Sequence, residues 1–585
     1  MTDGPLVVGI NRTQDGSIAV TRGGSTMFSL QKERVSRRKH HWGRLGDLPS
    51  LYLPRMPFLD QPVDLVVEGY ASDTEIENLD AYREELRRTL TLSENAQVVL
   101  VSHHLTHLYS AFHPSPFDRA AGLVVDAQGS HVGNLTEPVD LPAGTSGDLL
   151  EISSFYRCER GHLECLAKQL WDGDWNHPAG LGCFYSLLTK MLWPEGEGNE
   201  GKAMGLAPFG DPDAHGLGEL DVRGHEVLIP DQWMAAFTER GRYTYFIDGR
   251  GSFDDCANLA AAGQRAFENA LLRLVAWLHE RTGEENLVFA GGTGLNCSAN
   301  GRIMRESPFR DVFIPPSPHD GGTAVGCALY GLIDQLGQTS DFRWEDDFLG
   351  PEWDDEALKE AIGGLGPELV VEQPDDLVAM MVDLLDSGRV VGLHHGRSES
   401  GPRALGNRSI LADARHPGMQ DYINFEVKGR EWFRPLAPLV LADHAERLFD
   451  VDRPAPFMQY AAEVRPEYRE QLPAITHIDN TARLQTVEPV HTPFLHALLA
   501  AFHERTGTPV LLNTSLNGQG DPLTEAPEES IATLRVTGMH ALVLGPYLIR
   551  KRDEPGVPER APRADRAQGR QVRYSTSRSI PSSMW

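Results

Sequence analysis

The chain has 585 residues, too many for one ordinary domain, and at roughly 150 residues per domain it implies two to four. With 41% hydrophobic and 23% charged residues a sizeable core is expected and global disorder is not. Fifty-four basic against eighty-three acidic residues give a net charge of -29, which repels nucleic acid and anionic lipid and forces any anion site to gather its cations locally.

Only eight of the basic residues are lysines, so each lysine invites a question. Six cysteines without a CxxC pair make no disulfide framework, which fits a reducing cytoplasm. MTDGPLVVGIN lacks a basic region followed by a long apolar stretch, so no signal peptide is expected. No run of about eighteen apolar residues occurs, so no membrane span is expected.

In chain order, PLVVGI (5–10), IAV (18–20) and STMFSL (25–30) read as strands around polar and Gly-Gly turns. DLVVEGY (64–70) and QVVLVSHH (97–104) follow as strands, with a helix near 73–91 between them. AGLVVDAQGS (121–130) is a buried strand ending in an acid and a turn. A long amphipathic helix spans 257–282, and 286–301 reads as strand, glycine turn and helix start. This alternation predicts an α/β fold. Residues 339–375, rich in Asp, Glu, Gly and Pro, predict a domain boundary near 345–370. The helix 376–388 and strand 389–396 open a second α/β domain reaching about 550. The final residues, from Lys551, are rich in Pro, Ser and Arg and read as a flexible tail with eight basic and four acidic residues. No internal repeat is evident.

SHHLTH (102–107) places His103 and His107 at i and i+4, on one helical face. Asp126 ends the next apolar strand, and Asp320 sits in the turn SPHDGG. A zinc-peptidase HExxH needs glutamate after the first histidine, where this chain has His104. Two imidazoles and two carboxylates without thiolate suit Fe(II), Mn(II) or Zn(II). GKAMGLAPFG (201–210) and GGTGLNCSANG (291–301) are glycine-dense and could let a backbone approach a nucleotide; neither is a Walker A or Rossmann motif.

Further on, Arg397, Arg403, Arg408, Lys428, Arg430 and Arg434 crowd between 397 and 434 among Gly, Pro, Asn and Ser. In so acidic a chain this pattern predicts an anion site, since guanidinium forks match phosphate and carboxylate oxygens. TPVLLNTSLNGQGDP (508–522) runs from a strand into a polar turn carrying Ser515 and Asn517.

The series VSHHLTH, VVDAQGS, GKAMGLAPFG, GGTGLNCSANG, SPHDGG, GPRALGNRSIL, VKGREWFRPLAP, NTARLQTV and NTSLNGQGDP resembles the O-carbamoyltransferase family, which includes antibiotic-tailoring and nodulation enzymes. The resemblance covers roughly 1–550. It implies an actin-like ATPase (ASKHA) transfer domain over 1–350, similar to the tRNA threonylcarbamoyl-transfer protein. It implies a linker over 351–370, a YrdC-like adenylating domain over 371–550 and the tail over 551–585. It implies a metal, iron in the first place, on His103, His107, Asp126 and Asp320. Nucleotide would be held nearby by Gly201, Lys202, Gly205, Gly291, Gly292 and Asn296.

The implied chemistry has two half-reactions. Carbamoyl phosphate and ATP, with Mg2+, give carbamoyl adenylate and pyrophosphate among Arg403, Lys428, Arg430, Arg434, Arg483, Ser515 and Asn517. The carbamoyl group then passes to an acceptor hydroxyl beside the metal. Many members carry a histidine before the acid of the first turn; here the residues are Thr13, Gln14 and Asp15. Glutamine cannot take up a proton at neutral pH, so the base is Asp15, a metal-bound hydroxide or no group at all. Gln14 is expected to orient acceptor or carbamoyl by hydrogen bonds. The Arg-rich segment 37–43 is expected near the site.

The expected acceptor is a small-molecule hydroxyl on a natural product of the polyketide type, a macrolide or an ansamycin. Nucleic acid and membrane are not expected partners, and a homodimer is a family-level expectation. Two rival readings stand beside this one: a tRNA threonylcarbamoylation enzyme, which the net charge disfavours, and a non-catalytic nucleotide-binding regulator.

Overall fold

The computed structural model describes residues 4–59, 61–70, 79–193, 198–239, 241–553 and 556. It divides into two compact units, Met1–Ser36 with His40–Trp344, and Arg37–Lys39 with Glu345–Trp585. Among the described residues no helix is long and apolar enough to cross a membrane.

Among the described residues the first unit has twelve strands: β1 (Leu6–Asn11), β2 (Ser17–Arg22), β3 (Ser25–Gln31), β4 (Val63–Tyr70), β5 (Leu92–Ser102), β6 (Arg119–Val125), β7 (Leu150–Glu159), β8 (His162–Trp171), β9 (Asp221–Arg223), β10 (Glu226–Leu228), β11 (Asn286–Ala290) and β12 (Asp311–Phe313). They form two five-stranded sheets, ordered β3-β2-β1-β4-β5 and β12-β11-β6-β7-β8, and a small β9–β10 hairpin. In each large sheet three strands run as an antiparallel meander. A fourth strand then pairs in parallel with the first, and a fifth in parallel with the fourth. The two sheets therefore share one plan, the duplicated arrangement of actin-like ATPases. The repeat lies in strand order, not in residues, which is why the sequence shows none.

Central strands of this kind are covered on both faces and read as continuous apolar runs. β1 is buried at all six positions and β6 at all but its first. The strand expected over 97–104 ends at Ser102, and the helix His103–Phe112 starts at once. The helix expected near 73–91 is described as Leu79–Thr89; its beginning lies outside the described residues. The long helix runs Phe253–Thr282, capped by the Ser252 side chain, which accepts from the amides of Asp254 and Asp255, and stopped by Gly283 at φ +64°.

Helices His103–Phe112 and Thr323–Tyr330 meet where Gly326 faces Thr106. A Cβ at Gly326 would lie 1.9 Å from the Thr106 carbonyl oxygen. Behind them, a Cβ at Gly9 of β1 would lie 2.1 Å from the Ala324 carbonyl oxygen. No side chain fits at either place, so both glycines set the spacing of this layer.

The second unit has an eight-stranded mixed sheet. Its strands, in spatial order, are Leu369–Glu372, Tyr547–Lys551, Ala541–Leu544, Val391–His394, Arg408–Asp413, Val510–Ser515, Ala437–Leu441 and Gln485–Val487. The boundary falls between Trp344 and Glu345. The stretch 351–370, expected as a linker, instead carries the helix Asp355–Gly363, capped by Asp354, and the first residues of the edge strand. That strand pairs antiparallel with Tyr547–Lys551, so Lys551, expected in the tail, belongs to the sheet. Composition hid these elements because acidic and glycine residues there serve as caps and surface. Of the expected tail only 551–553 and 556 are described.

Gly326→Ala should destabilise the chain by roughly 1–3 kcal/mol, since two packed backbones must part. Chemical denaturation measures this, and unchanged stability would show that the contact yields freely.

Candidate active site

In the first unit, the end of β5, the end of β6 and the turn before Thr323 converge. His103, His107, Asp126 and Asp320 each offer one ligand atom, all within 4.8 Å of one another. The two Nε2 atoms are 3.1 Å apart. Asp320 Oδ1 lies 3.3 Å from His103 Nε2 and 3.5 Å from His107 Nε2, and Asp126 Oδ2 lies 3.3 Å from His107 Nε2. The sequence-expected metal set is thus assembled in space. Two imidazoles and two carboxylates facing one point fit a first-row divalent cation.

The acids are held from behind. Asp126 Oδ2 accepts from the Gly292 amide at 3.0 Å, and Oδ1 from the Ala127 amide at 2.7 Å. Gly291, at φ +95°, leaves no room for a side chain, because a Cβ would lie 2.1 Å from the Val125 carbonyl oxygen. Thr13 Oγ1 lies 3.0 Å from Asp320 Oδ2, and Asn11 Nδ2 donates to the Asp320 carbonyl at 3.0 Å. Burial opposes charge on Asp320, but His103 and then His107 outweigh it and hold the acid well below the usual range. Burial likewise opposes a proton on His107, yet its hydrogen bonds to Asp126 and Asp320 raise it to about 9. A metal must displace that proton to bind.

A second buried cluster lies behind the ligand helix. Lys168 Nζ donates to Glu151 Oε2 at 2.5 Å, Glu137 Oε1 at 2.7 Å and Ser154 Oγ at 2.9 Å. Burial works against this ammonium, but Glu137 and then Glu151 raise Lys168 well above the ordinary lysine range. Glu151 Oε1 accepts the amides of His104 at 3.0 Å and Ser130 at 3.1 Å, while Ser130 Oγ accepts the His103 amide at 2.9 Å. Two orphan amides of this helix are thereby satisfied, one from the loop after β6 and one from β7, with the Glu151 carboxylate at its N-terminus. His104, at the peptidase-glutamate position, is buried and kept neutral by burial and then by Lys168.

The glycine segments divide. Gly292 reaches the metal cluster, as above. Gly201, Lys202 and Gly205 lie in a helix, Glu200–Leu206, not in a loop. Lys202 Nζ stands 5.6 Å over the Trp193 ring. Asn296 caps the helix Cys297–Glu306, and Gln264 bonds both its oxygen at 2.9 Å and its nitrogen at 3.1 Å.

In the second unit, Lys428 is 5% exposed. Its Nζ donates to the Ser515 carbonyl at 2.7 Å, Ser515 Oγ at 3.1 Å and the Asn517 carbonyl at 3.1 Å, and also contacts Asn517 Oδ1. Four oxygens suit an ammonium, but none carries a full charge. Burial, then Arg430, Lys39 and Arg434, hold Lys428 well below the ordinary lysine range. Burial lowers Arg430 and Arg434, and Arg483 adds to the lowering of both, against Glu431, whose carboxylate lies 3.6 Å from Arg434. Arg403 sits on the loop that Glu399 ties down by accepting the amides of Leu405, Asn407 and Arg408 at 2.7, 3.0 and 3.2 Å. Ala404 and Leu405 in turn accept from Asn513 and Gln485, which joins this loop to the strands near Ser515 and Arg483.

The run of cations between 397 and 434 is not one site. Arg397 donates to the carbonyls of Leu349 and Gly350 at 2.6 and 3.0 Å. Arg408, fully buried, donates to the carbonyls of His395, Gly396 and Asn407. Both brace backbone. The roles of Asn11, Thr13, Ser130, Glu151 and Lys168 belong to no motif in the sequence. Of these only Lys168 carried a signal, the rarity of lysine.

Ser130→Ala should weaken binding of Fe(II), Mn(II) or Zn(II) by roughly 10–100-fold, because the ligand helix loses its anchor. Titration calorimetry with each metal checks this; affinity equal to the parent chain would refute the anchoring role.

Residues 74–329 match the profile of the carbamoyltransferase N-terminus, and residues 382–551 that of the carbamoyltransferase C-terminus. Nodulation protein NolNO of Sinorhizobium fredii is 31% identical, across 92% of this chain and 79% of that protein. Nodulation protein NolO of Bradyrhizobium diazoefficiens is 33% identical, across 77% and 79%. The 3'-hydroxymethylcephem-O-carbamoyltransferase of Streptomyces clavuligerus is 29% identical, across 88% and 93%. Among solved structures, HypF of T. kodakarensis overlaps 57% of this chain and 48% of its own, at 14% identity and a TM-score of 0.37. By its profiles and its relatives, the chain belongs to the carbamoyltransferase family.

Proposed function

We propose that the chain is an ATP-dependent O-carbamoyltransferase with its two half-reactions on separate units. The observation that carries the reading is the contrast between two buried lysines. Lys168 has its carboxylates within the fold. Lys428 donates to neutral oxygens, and of the charges acting on it Arg430, Lys39 and Arg434 outweigh the carboxylate of Asp521. A buried cation without an anion is costly, so this unit is built for an anionic ligand.

In the second unit, carbamoyl phosphate and MgATP would share this cationic site. Lys428, Arg430, Arg434, Arg403 and Arg483 neutralise phosphate charge and hold the groups in line. Ser515 and Asn517 fix the Lys428 ammonium. Water first cleaves carbamoyl phosphate to carbamate and inorganic phosphate; a carbamate oxygen then attacks the α-phosphorus of ATP, the bond to the β-phosphate breaks, and pyrophosphate leaves, giving carbamoyl adenylate. In the first unit, His103, His107, Asp126 and Asp320 would hold the divalent metal, iron in the first place, which when bound supplies Lewis-acid polarisation of a carbonyl oxygen. Thr13 and Asn11 keep Asp320 in place, and Gly292 keeps Asp126 in place. An acceptor hydroxyl attacks the carbamoyl carbon, the bond to AMP breaks, and an O-carbamate forms. A relative named for carbamoylating a 3'-hydroxymethylcephem supports a small-molecule hydroxyl, and we assign a polyketide-type alcohol.

Exchange of labelled pyrophosphate into ATP should require carbamoyl phosphate and fall at least 100-fold in Lys428→Ala. Exchange without carbamoyl phosphate, or full exchange in the variant, would refute the assignment. A bound anion also favours the charged lysine. Pyrophosphate binding should therefore take up a proton, and affinity should fall as pH rises above the lowered Lys428 range. Calorimetry in buffers of different ionisation enthalpy measures this uptake, which Lys428→Met should abolish.

A further inference from the structure

The turn Thr13–Asp15 and the loop His40–Gly43 are bound to each other. The Gly43 amide donates to the Thr13 carbonyl at 3.0 Å, and the Gly16 amide to the His41 carbonyl at 3.0 Å. Between these bonds, His40 Nδ1 lies 3.0 Å from Asp15 Oδ1 and 3.3 Å from Oδ2. Both residues hold left-handed backbone without being glycine, Asp15 at φ +51° and His40 at φ +52°. Such conformations cost roughly 1 kcal/mol each and persist where the surroundings impose them.

Exposure differs sharply within the pair. The Asp15 side chain is 7% exposed and that of His40 is 34% exposed. The carboxylate is therefore a buried orienting group and the imidazole its outward partner. His319 Nε2 stands 3.8 Å from the other oxygen of Asp15. The Nε2 edge of His40 lies against Gly198, where a Cβ would come within 2.7 Å of Nε2. The pair is also tied to the metal cluster. Asn11 Nδ2 donates to the carbonyls of Gln14 at 3.0 Å, Asp15 at 3.3 Å and Asp320 at 3.0 Å, so one side chain anchors both.

We infer that His40, oriented by Asp15, is the general base of carbamoyl transfer, accepting the acceptor hydroxyl proton at Nε2. The inference rests on the carbamoyl-transfer reading above. Asp15 accepts the Nδ1 hydrogen, which leaves a lone pair on Nε2. As the acceptor oxygen bonds to the carbamoyl carbon, its O–H bond breaks and the proton passes to Nε2. The carbon–oxygen bond to AMP breaks, and AMP departs with that electron pair. The imidazolium then returns its proton to solvent. Asp15, buried behind the ring, is a positioning residue and not itself the base. Gln14 is half-buried beside it and has no basic atom.

The test uses the full chain loaded with Fe(II), with an acceptor drawn from an ansamycin, a macrolide, an aminoglycoside and 3'-hydroxymethylcephem. If the parent takes none of these, water serves as acceptor and carbamoyl-adenylate hydrolysis is followed. His40→Ala and His40→Gln should lower kcat by at least about 100-fold with acceptor KM within threefold, and free imidazole should restore part of the His40→Ala rate. Asp15→Asn should lower kcat at least about tenfold. Carbamoyl-phosphate-dependent pyrophosphate exchange should be untouched in all three, and parent failure in that exchange would count against the function itself. A kcat within threefold of the parent in both His40 variants, or a loss carried by KM alone and insensitive to imidazole, would overturn the assignment.

Discussion

The first unit depends on how closely two helices can approach. Gly326 against the Thr106 carbonyl, and Gly9 against the Ala324 carbonyl, bring the helix carrying His103 and His107 beside the turn carrying Asp320. The duplicated sheets then do the rest. β5 delivers the histidines, β6 delivers Asp126, β1 delivers Asn11 and Thr13, and the turn after β12 delivers Asp320. These groups stand at the carboxyl ends of parallel strands, where open α/β sheets place their chemistry. Two halves with one plan thus meet at one cluster of ligands.

Buried charge is used in two opposite ways. Around Lys168 it is closed: Glu137, Glu151, Ser154 and Tyr156 surround the ammonium, and the surplus acceptors of Glu151 cap the ligand helix. Removing one partner from such a set costs about 3–5 kcal/mol, since a bare charge remains inside. Around Lys428 it is open: the bonded oxygens are neutral, and among the neighbouring charges Arg430, Lys39 and Arg434 outweigh Asp521. The same residue type, equally buried, is paired with carboxylates of the fold in one unit and, in the proposed function, meets an anionic ligand in the other. The difference lies in whether the counter-charge belongs to the chain.

Much of this was legible in the sequence, for definable reasons. Continuous apolar runs marked β1, β4 and β6, and HxxxH with two acids at strand and turn ends marked the cluster of His103, His107, Asp126 and Asp320. The repeat was not legible, because strand order carries no residue signature. The 351–370 helix and strand were masked by acidic, glycine-rich composition. Arg397 and Arg408 looked like ligands because sequence cannot tell an arginine facing a site from one bonded to carbonyls. His40 and Asp15 were separated by 24 intervening positions, and only the pairing of turn and loop joins them.

In the proposed function, activation and transfer occupy different units. Supplying preformed carbamoyl adenylate to two variants, with the acceptor the parent uses, tests it most directly. Lys428→Ala should then carbamoylate acceptor near the parent rate, while His107→Ala should make no carbamate yet still exchange pyrophosphate when given carbamoyl phosphate and ATP. If Lys428→Ala stays inactive with preformed adenylate, or His107→Ala loses exchange, the two chemistries are not separable and the account is wrong.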